Sequence, residues 1–245
     1  MKITFLGGGN MANALIGGML KQGFAAADIT VIDPGSAARD KLERTYAVNC
    51  LETGEMLDNI GDLLVLAVKP QQMKDAVTPL VDKLGNAVVV SIAAGLDLAT
   101  LARFLGGHRK IVRCMPNTPA LIGAGITGLC PLPEVSAAER EAADCVLSAV
   151  GSTVWIDNEG RMDGVTALSG SGPAYVFLFI EALQQAAADL GFTPEQGRQL
   201  AIETVQGAAA LAAQSDEPAS VLRERVTSKG GTTEAALNTM AEKGV

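Results

Sequence analysis

The residues with the clearest chemical meaning come first in the chain. Gly7-Gly8-Gly9-Asn10-Met11-Ala12 follows the apolar run Ile3–Leu6 and opens a helix-like segment. A G-x-G-x-x-A spacing between strand and helix is a dinucleotide fingerprint: Gly7 permits the tight turn, Gly9 lets a pyrophosphate approach the backbone, and Ala12 allows close helix–sheet packing. The helix start adds free N–H groups and a positive dipole end, so Gly7, Gly8, Gly9, Asn10, Met11 and Ala12 are candidate cofactor ligands. Asp33 ends the next apolar run, where a carboxylate usually accepts hydrogen bonds from the adenosine ribose. Alone it favours NADH, but Ser36 and Arg39 offer a hydroxyl and a guanidinium to a 2′-phosphate, so NADPH and NADH both stay open. Ala67-Val68-Lys69-Pro70 and Ala93-Ala94 end the third and fourth runs and are placed to line the nicotinamide end.

A second group lies near the end of the chain. Ser228-Lys229-Gly230-Gly231-Thr232-Thr233 supplies hydroxyls and open backbone N–H groups just before a helix-like segment. Such a nest at a helix start holds a small anion without a basic surface. Other groups speak against rival chemistries. The single histidine, His108, sits among glycines and cations in a loop-like stretch and reads as solvated, leaving no Ser-His-Asp triad. Cys50, Cys114, Cys130 and Cys145 are widely spaced with no C-x-x-C, so no metal site is expected and the thiols read as reduced and structural.

Positioning these groups requires two kinds of architecture. Up to Asp157, apolar runs at 3–6, 29–32, 63–68, 87–92, 111–114, 126–130 and 153–156 alternate, over the first five, with helix-like segments at 10–22, 37–44, 71–84 and 96–105. Continuous apolar strands imply a sheet buried on both faces, so residues 1–157 are expected to form an α/β Rossmann-type, doubly wound parallel sheet domain. Residues 158–245 are expected to form a smaller all-α domain, with helices at 173–190, 194–214 and 232–243; Gly191 stops the first and Pro194 sits at the start of the second. The run Gly207-Ala208-Ala209-Ala210 in the second of these helices buries little area per residue, which points to a partner chain.

The net charge of −8 argues against a positive field that would gather nucleic acid or anionic lipid. The apolar stretch 174–180 falls well short of the ~18 residues of a membrane span, and the N-terminus lacks a leader pattern. A cytoplasmic protein with no nucleic-acid or membrane partner is expected.

The stretches GGGNMA, AVKP, SIAAG, RCMPNTPA, LSGSGPAY and VTSKGGTT, in that order, make the chain resemble the pyrroline-5-carboxylate reductase family. The resemblance implies NADPH- or NADH-dependent reduction of the cyclic imine 1-pyrroline-5-carboxylate to L-proline, the last step of proline biosynthesis. It implies a Rossmann domain, a helical domain that interlocks with a second subunit, and a homodimer or larger homo-oligomer. By motif, Gly7 to Ala12 would hold the pyrophosphate, and Ala67 to Pro70 with Ala93-Ala94 would approach the nicotinamide. Ser228, Gly230, Gly231, Thr232 and Thr233 would hold the substrate, with Thr233 as the catalytic residue nearest the imine nitrogen. The chain departs from the family in three places. Lys229 replaces a common proline, Thr53-Gly54 stand where an asparagine often lies near the cofactor ribose, and the chain ends at Val245, before a helix and Arg/Ser-rich tail. A 3-hydroxyacid dehydrogenase would need an acid or base such as Lys or His in the helical part, where only Lys229 and Lys243 occur. A dinucleotide-sensing regulator would need an effector or DNA-binding segment, and no basic recognition helix is apparent.

Overall fold

A computed structural model describes residues 1–244. Strand β1 (Ile3–Leu6) is buried at all four positions, as is β4 (Leu63–Leu66), because both lie inside the sheet with helices over each face. Alternate side chains feed two cores. Ile3, Phe5, Leu63, Val65, Val88 and Val90 pack on one side, while Leu6, Leu64, Leu66 and Val89 pack on the other.

The remaining strands are β2 (Ile29–Ile32), β3 (Asn49–Leu51), β5 (Val88–Ser91), β6 (Ile111–Met115), β7 (Gly125–Pro131) and β8 (Gly151–Trp155). They form one eight-stranded sheet in the order β3-β2-β1-β4-β5-β6-β7-β8. All neighbours run parallel except β6 and β7, which are antiparallel. The strand order reverses direction at β1, so the crevice at the carboxyl ends of β1 and β4 is the topological switch point of the sheet.

The helices over this sheet are α1 (Asn10–Lys21), α2 (Ser36–Tyr46), α3 (Met73–Val77), α4 (Leu98–Phe104) and α5 (Ala137–Leu147). The expected helix over 71–84 is broken into α3 and two 3-10 segments, Pro70–Gln72 and Thr78–Lys83. Pro79 lacks the N–H that a continuing α-helix needs, and its ring crowds the preceding turn. Among the strands and the helices over the sheet, two elements had no sequence expectation. Strand β3 is one, and α5, closed by a Ser136–Glu139 capping box, is the other.

The single histidine is half-buried rather than solvated. His108 Nε2 donates to the Ala87 carbonyl at 2.9 Å, and burial lowers its pKa from 6.5. The unfolded chain therefore binds a proton more readily than the folded one. Stability from this group is complete above about pH 6.5 and is lost as pH falls through the lower folded value. Thermal melts of the parent should show that acid-side loss, and a His108→Gln chain should show a flatter profile over the same interval. An unchanged profile would remove His108 as its source.

The cysteines are free. Burial raises the pKa of Cys50 to about 11 and that of Cys114 well above its ordinary value, so both thiols are held protonated and unreactive. Among the described residues no cluster of metal-ligating side chains occurs.

Contacts divide the chain into Met1–Pro173 and the remainder from Ala174, later than the boundary expected after Asp157. Residues 159–170 form a 3-10 turn (Glu159–Arg161), a short α6 (Met162–Val165) and a π turn (Thr166–Gly170). Helix α7 (Gly172–Asp189) stops just before Gly191, which adopts φ +87°, and α8 (Pro194–Gln214) starts with a Thr193–Gln196 capping box and Pro194 in the first turn. Helices α9 (Ala219–Arg225) and α10 (Thr232–Lys243) follow. The three expected C-terminal helices thus fall within a residue or so of their expected bounds.

This helical unit buries few of its own side chains. Tyr175, Val176, Phe177, Leu178 and Phe179 of α7 and Leu200 and Leu211 of α8 are all exposed. Taken with the preceding turns, the helical run Glu159–Asp189 is long and apolar enough to cross a membrane by length and composition alone, which the short apolar stretch 174–180 did not suggest.

Candidate active site

At the switch point, Gly7 takes φ +103°, and a Cβ there would stand 2.7 Å from the Ala67 carbonyl oxygen. The glycine is required both by backbone conformation and by the close passage of β4. Gly9 differs: its φ is −70°, and a Cβ built on it meets no protein atom within 4 Å. Gly9 also serves as the N-cap of α1 without a side-chain cap, and the first helical bond is Asn13 N–H to the Gly9 carbonyl at 2.9 Å. The N–H groups of Asn10, Met11 and Ala12 are therefore free of helical partners and available to an anion.

These features open onto a cavity of about 610 Å³, lined by Gly7, Gly9, Asp33, Ala67, Val68 and Lys69 among the expected residues. Its size suits a nucleotide ligand. Open space over Gly9, uncapped helical N–H groups and a carboxylate at the end of β2 together fit a dinucleotide. The rest of the expected set lies close by in the fold. Asn10, Met11 and the buried Ala12 form the first turn of α1, and Pro70 follows Lys69. Ala93 and Ala94 follow β5, which pairs with β4 through Leu66 and Ser91, but they do not line the cavity.

Gly8 makes a contact within the protein that the motif did not indicate. Its N–H donates to Asp33 Oδ2 at 2.7 Å, and the Gly35 N–H donates to Asp33 Oδ1 at 2.8 Å. A Cβ on Gly8 would also sit 2.9 Å from Leu42 Cδ1. The Gly8 N–H thus holds the carboxylate at the end of β2. Glu52, Thr53, Gly54 and Glu55 also line the cavity. Of these only Thr53-Gly54 drew notice in the sequence, because the short β3 that delivers them shows no alternation.

Two distant motifs meet within the first unit. The Asn117 side chain donates to the Ser169 carbonyl at 3.3 Å and accepts from the Ile126 N–H at 3.1 Å. Glu159 Oε1 accepts from the Leu98 N–H at 2.7 Å and from Arg113 Nη1 at 2.9 Å, holding the start of α4 just beyond Ala93-Ala94. Asp97 caps the same helix through the Thr100 N–H at 2.7 Å, a bond that lowers the Asp97 pKa.

In the second unit, Gly230 adopts φ +72° and Gly231 is the N-cap of α10 with no side-chain cap. The nest is smaller than expected. The Gly230 N–H donates to Glu234 Oε2 at 2.7 Å, and the Gly231 N–H to the Ser228 carbonyl at 3.1 Å. The donors left without helical partners are the N–H groups of Thr232, Thr233 and Glu234, because the helical bonds begin with Ala235 N–H to the Gly231 carbonyl at 3.2 Å. Thr232 and Thr233 occupy the first turn of α10; Ser228, Lys229 and Thr232 are exposed, and Thr233 is part-buried.

Fold and site together define a dinucleotide-dependent oxidoreductase. Residues 2–95 match the family described as NADP oxidoreductase, coenzyme F420-dependent, and residues 159–245 match pyrroline-5-carboxylate reductase dimerisation. The chain is 45% identical to a pyrroline-5-carboxylate reductase of Pseudomonas aeruginosa over 99% of its own length and 89% of that protein. The structure of a pyrroline-5-carboxylate reductase from Coxiella burnetii superimposes with a TM-score of 0.93 at 38% identity, covering 99% of this chain and 91% of that one. The Plasmodium falciparum enzyme with NADP bound gives a TM-score of 0.87 at 29% identity, covering 100% and 90%. The chain belongs to the pyrroline-5-carboxylate reductase family.

Proposed function

We propose that the protein reduces 1-pyrroline-5-carboxylate to L-proline with NADPH or NADH, as the last step of proline biosynthesis in the cytoplasm. The observation that carries this reading is the first turn of α10: two threonine hydroxyls and three N–H groups free of helical partners, in a chain that matches such reductases over nearly its whole length. When bound, the reduced nicotinamide supplies the hydride. Gly9 and the start of α1 hold the pyrophosphate, Asp33 the adenosine ribose, and Ala67 to Pro70 with Ala93-Ala94 the nicotinamide.

The substrate carries one carboxylate and one ring nitrogen. The free N–H groups of Thr232, Thr233 and Glu234 donate to the carboxylate, following the anion preference of a helix N-terminus. Ser228 adds a hydroxyl beside them, and Gly230 and Gly231 act by shaping the turn. Thr233 hydrogen-bonds the ring nitrogen and orients the imine, or passes it a proton, without serving as a strong acid. An imine is more basic than a ketone, so a site without a strong acid suits it. Residues 158–245 act as the dimerisation and substrate domain, and the exposed apolar face of α7 and the small-residue run of α8 are covered by a second copy in a homodimer or larger homo-oligomer.

Loss of NAD(P)H absorbance on addition of 1-pyrroline-5-carboxylate, with L-proline recovered as product, is the expected result. Equal turnover of a 3-hydroxyacid, or no dependence on the imine, would overturn it.

A further inference from the structure

We infer that this chain selects NADH over NADPH, because Asp33, Glu52 and Glu55 line the cavity proposed for the dinucleotide while the guanidinium of Arg39 is mostly buried, held by the Asp33 carbonyl and paired with Glu52. The inference rests on the dinucleotide role proposed for this cavity. Asp33 is held by two N–H groups, one on each carboxylate oxygen, at 2.7 and 2.8 Å. Each oxygen keeps a second lone pair, so the carboxylate can still accept from the 2′- and 3′-hydroxyls of an unphosphorylated ribose. A phosphate at the 2′ position would instead bring a charge of about −1.5 to −2 against it.

The neighbouring segment deepens the same field. Glu52 and Glu55 line the same cavity as Asp33 and Pro34, and Glu52 follows Leu51, whose carbonyl accepts from the Asp33 N–H at 3.0 Å. Arg39 is the group a 2′-phosphate would need. Its Nη1 donates to the Asp33 carbonyl at 2.7 Å, its Nη2 lies 3.6 Å from Glu52 Oε2, and its side chain is only 18% exposed. Lys83 is also near, but its ammonium donates to the Gly54 and Glu55 carbonyls at 2.8 and 3.0 Å. The uncapped start of α2 and the exposed Ser36 hydroxyl favour a phosphate. Against them, Asp33 already accepts from the Gly35 N–H at that helix start. Lys69 also lines the cavity, from the end of β4.

Calorimetric titration of the full chain with ADP-ribose and with 2′-phospho-ADP-ribose isolates this end of the site and needs no imine turnover. ADP-ribose is expected to bind at least about tenfold tighter in dilute buffer, with the gap closing as salt screens the carboxylates. Glu52→Gln removes one carboxylate and loosens Arg39, and is expected to narrow the gap by about threefold. The ratio of kcat/KM for NADH over NADPH should follow the same order. Equal or tighter binding of the 2′-phosphorylated ligand, a gap insensitive to both salt and Glu52→Gln, or failure of both ligands to bind would overturn the inference. Selective nucleotide binding without imine reduction would leave it standing and overturn the proposed reaction instead.

Discussion

A Gly9→Val chain is expected to fold normally and to bind neither NADH nor NADPH. Gly9 has an extended φ of −70° that valine readily adopts, and no protein atom lies within 4 Å of its Cβ position. The protein has room for the side chain, but the two methyl groups would stand where the pyrophosphate is proposed to approach the free N–H groups of α1. Losing that approach should weaken nucleotide affinity by two orders of magnitude or more, about 3 kcal/mol or above. Melting temperature and circular dichroism are expected to match the parent. Titration by nucleotide fluorescence gives the decisive measurement, and parent-like affinity would place the phosphates elsewhere.

The second large effect concerns Thr233. Thr233→Ala should lower kcat by about tenfold to a hundredfold, the range for losing one hydrogen bond to a group that is charged or becoming so. KM should move less, because the N–H groups proposed to hold the carboxylate belong to the backbone and survive the change. Thr233→Ser keeps the hydroxyl and should retain most of the rate. Helix α10 has no side-chain cap to lose, so its stability should not change. A kcat equal to the parent's in Thr233→Ala would strip the residue of its role at the ring nitrogen.

Much of the cofactor half was legible in the sequence because the signals were local. A tight turn, an opening helix and a carboxylate at a strand end are specified by a handful of neighbouring residues, and β1, β2 and the start of α1 lie where those residues indicated. The reversed strand β7 departs from the parallel sheet expected from the sequence, although loop length could have shown it. Only residues 116–124 separate β6 from β7, too few for the crossover a parallel pair demands, so the antiparallel pairing follows from length. The apolar run alone carries no direction. Helix α5 carried a readable S-x-x-E start at Ser136, but its first turns, Ala-Ala-Glu-Arg-Glu-Ala-Ala, show no apolar stripe of large residues.

Other features depend on contacts between residues far apart in sequence. The use of Gly8 to hold Asp33 could not be read from a motif in which every glycine looks alike. The Glu234 carboxylate on the Gly230 N–H was equally hidden, because a glutamate in the first turn of a helix ordinarily reads as a favourable charge and nothing more. Asn117 and Ser169, more than fifty positions apart, were each visible as unusual but not as partners.

The bonds from Gly7 to the Ile32 carbonyl and from Gly8 and Gly35 to Asp33 tie the fingerprint loop to the end of β2 within the protein itself. The ordering entropy of this loop is therefore met when the chain folds, not when the nucleotide arrives. Arrival of the nucleotide then resembles docking to a rigid receptor, and amide exchange at these glycines is expected to be slow already and to change little on complex formation. Affinity in such a site is set by what the ligand offers to fixed groups, so small changes in ligand charge translate directly into preference instead of being absorbed by rearrangement of the loop.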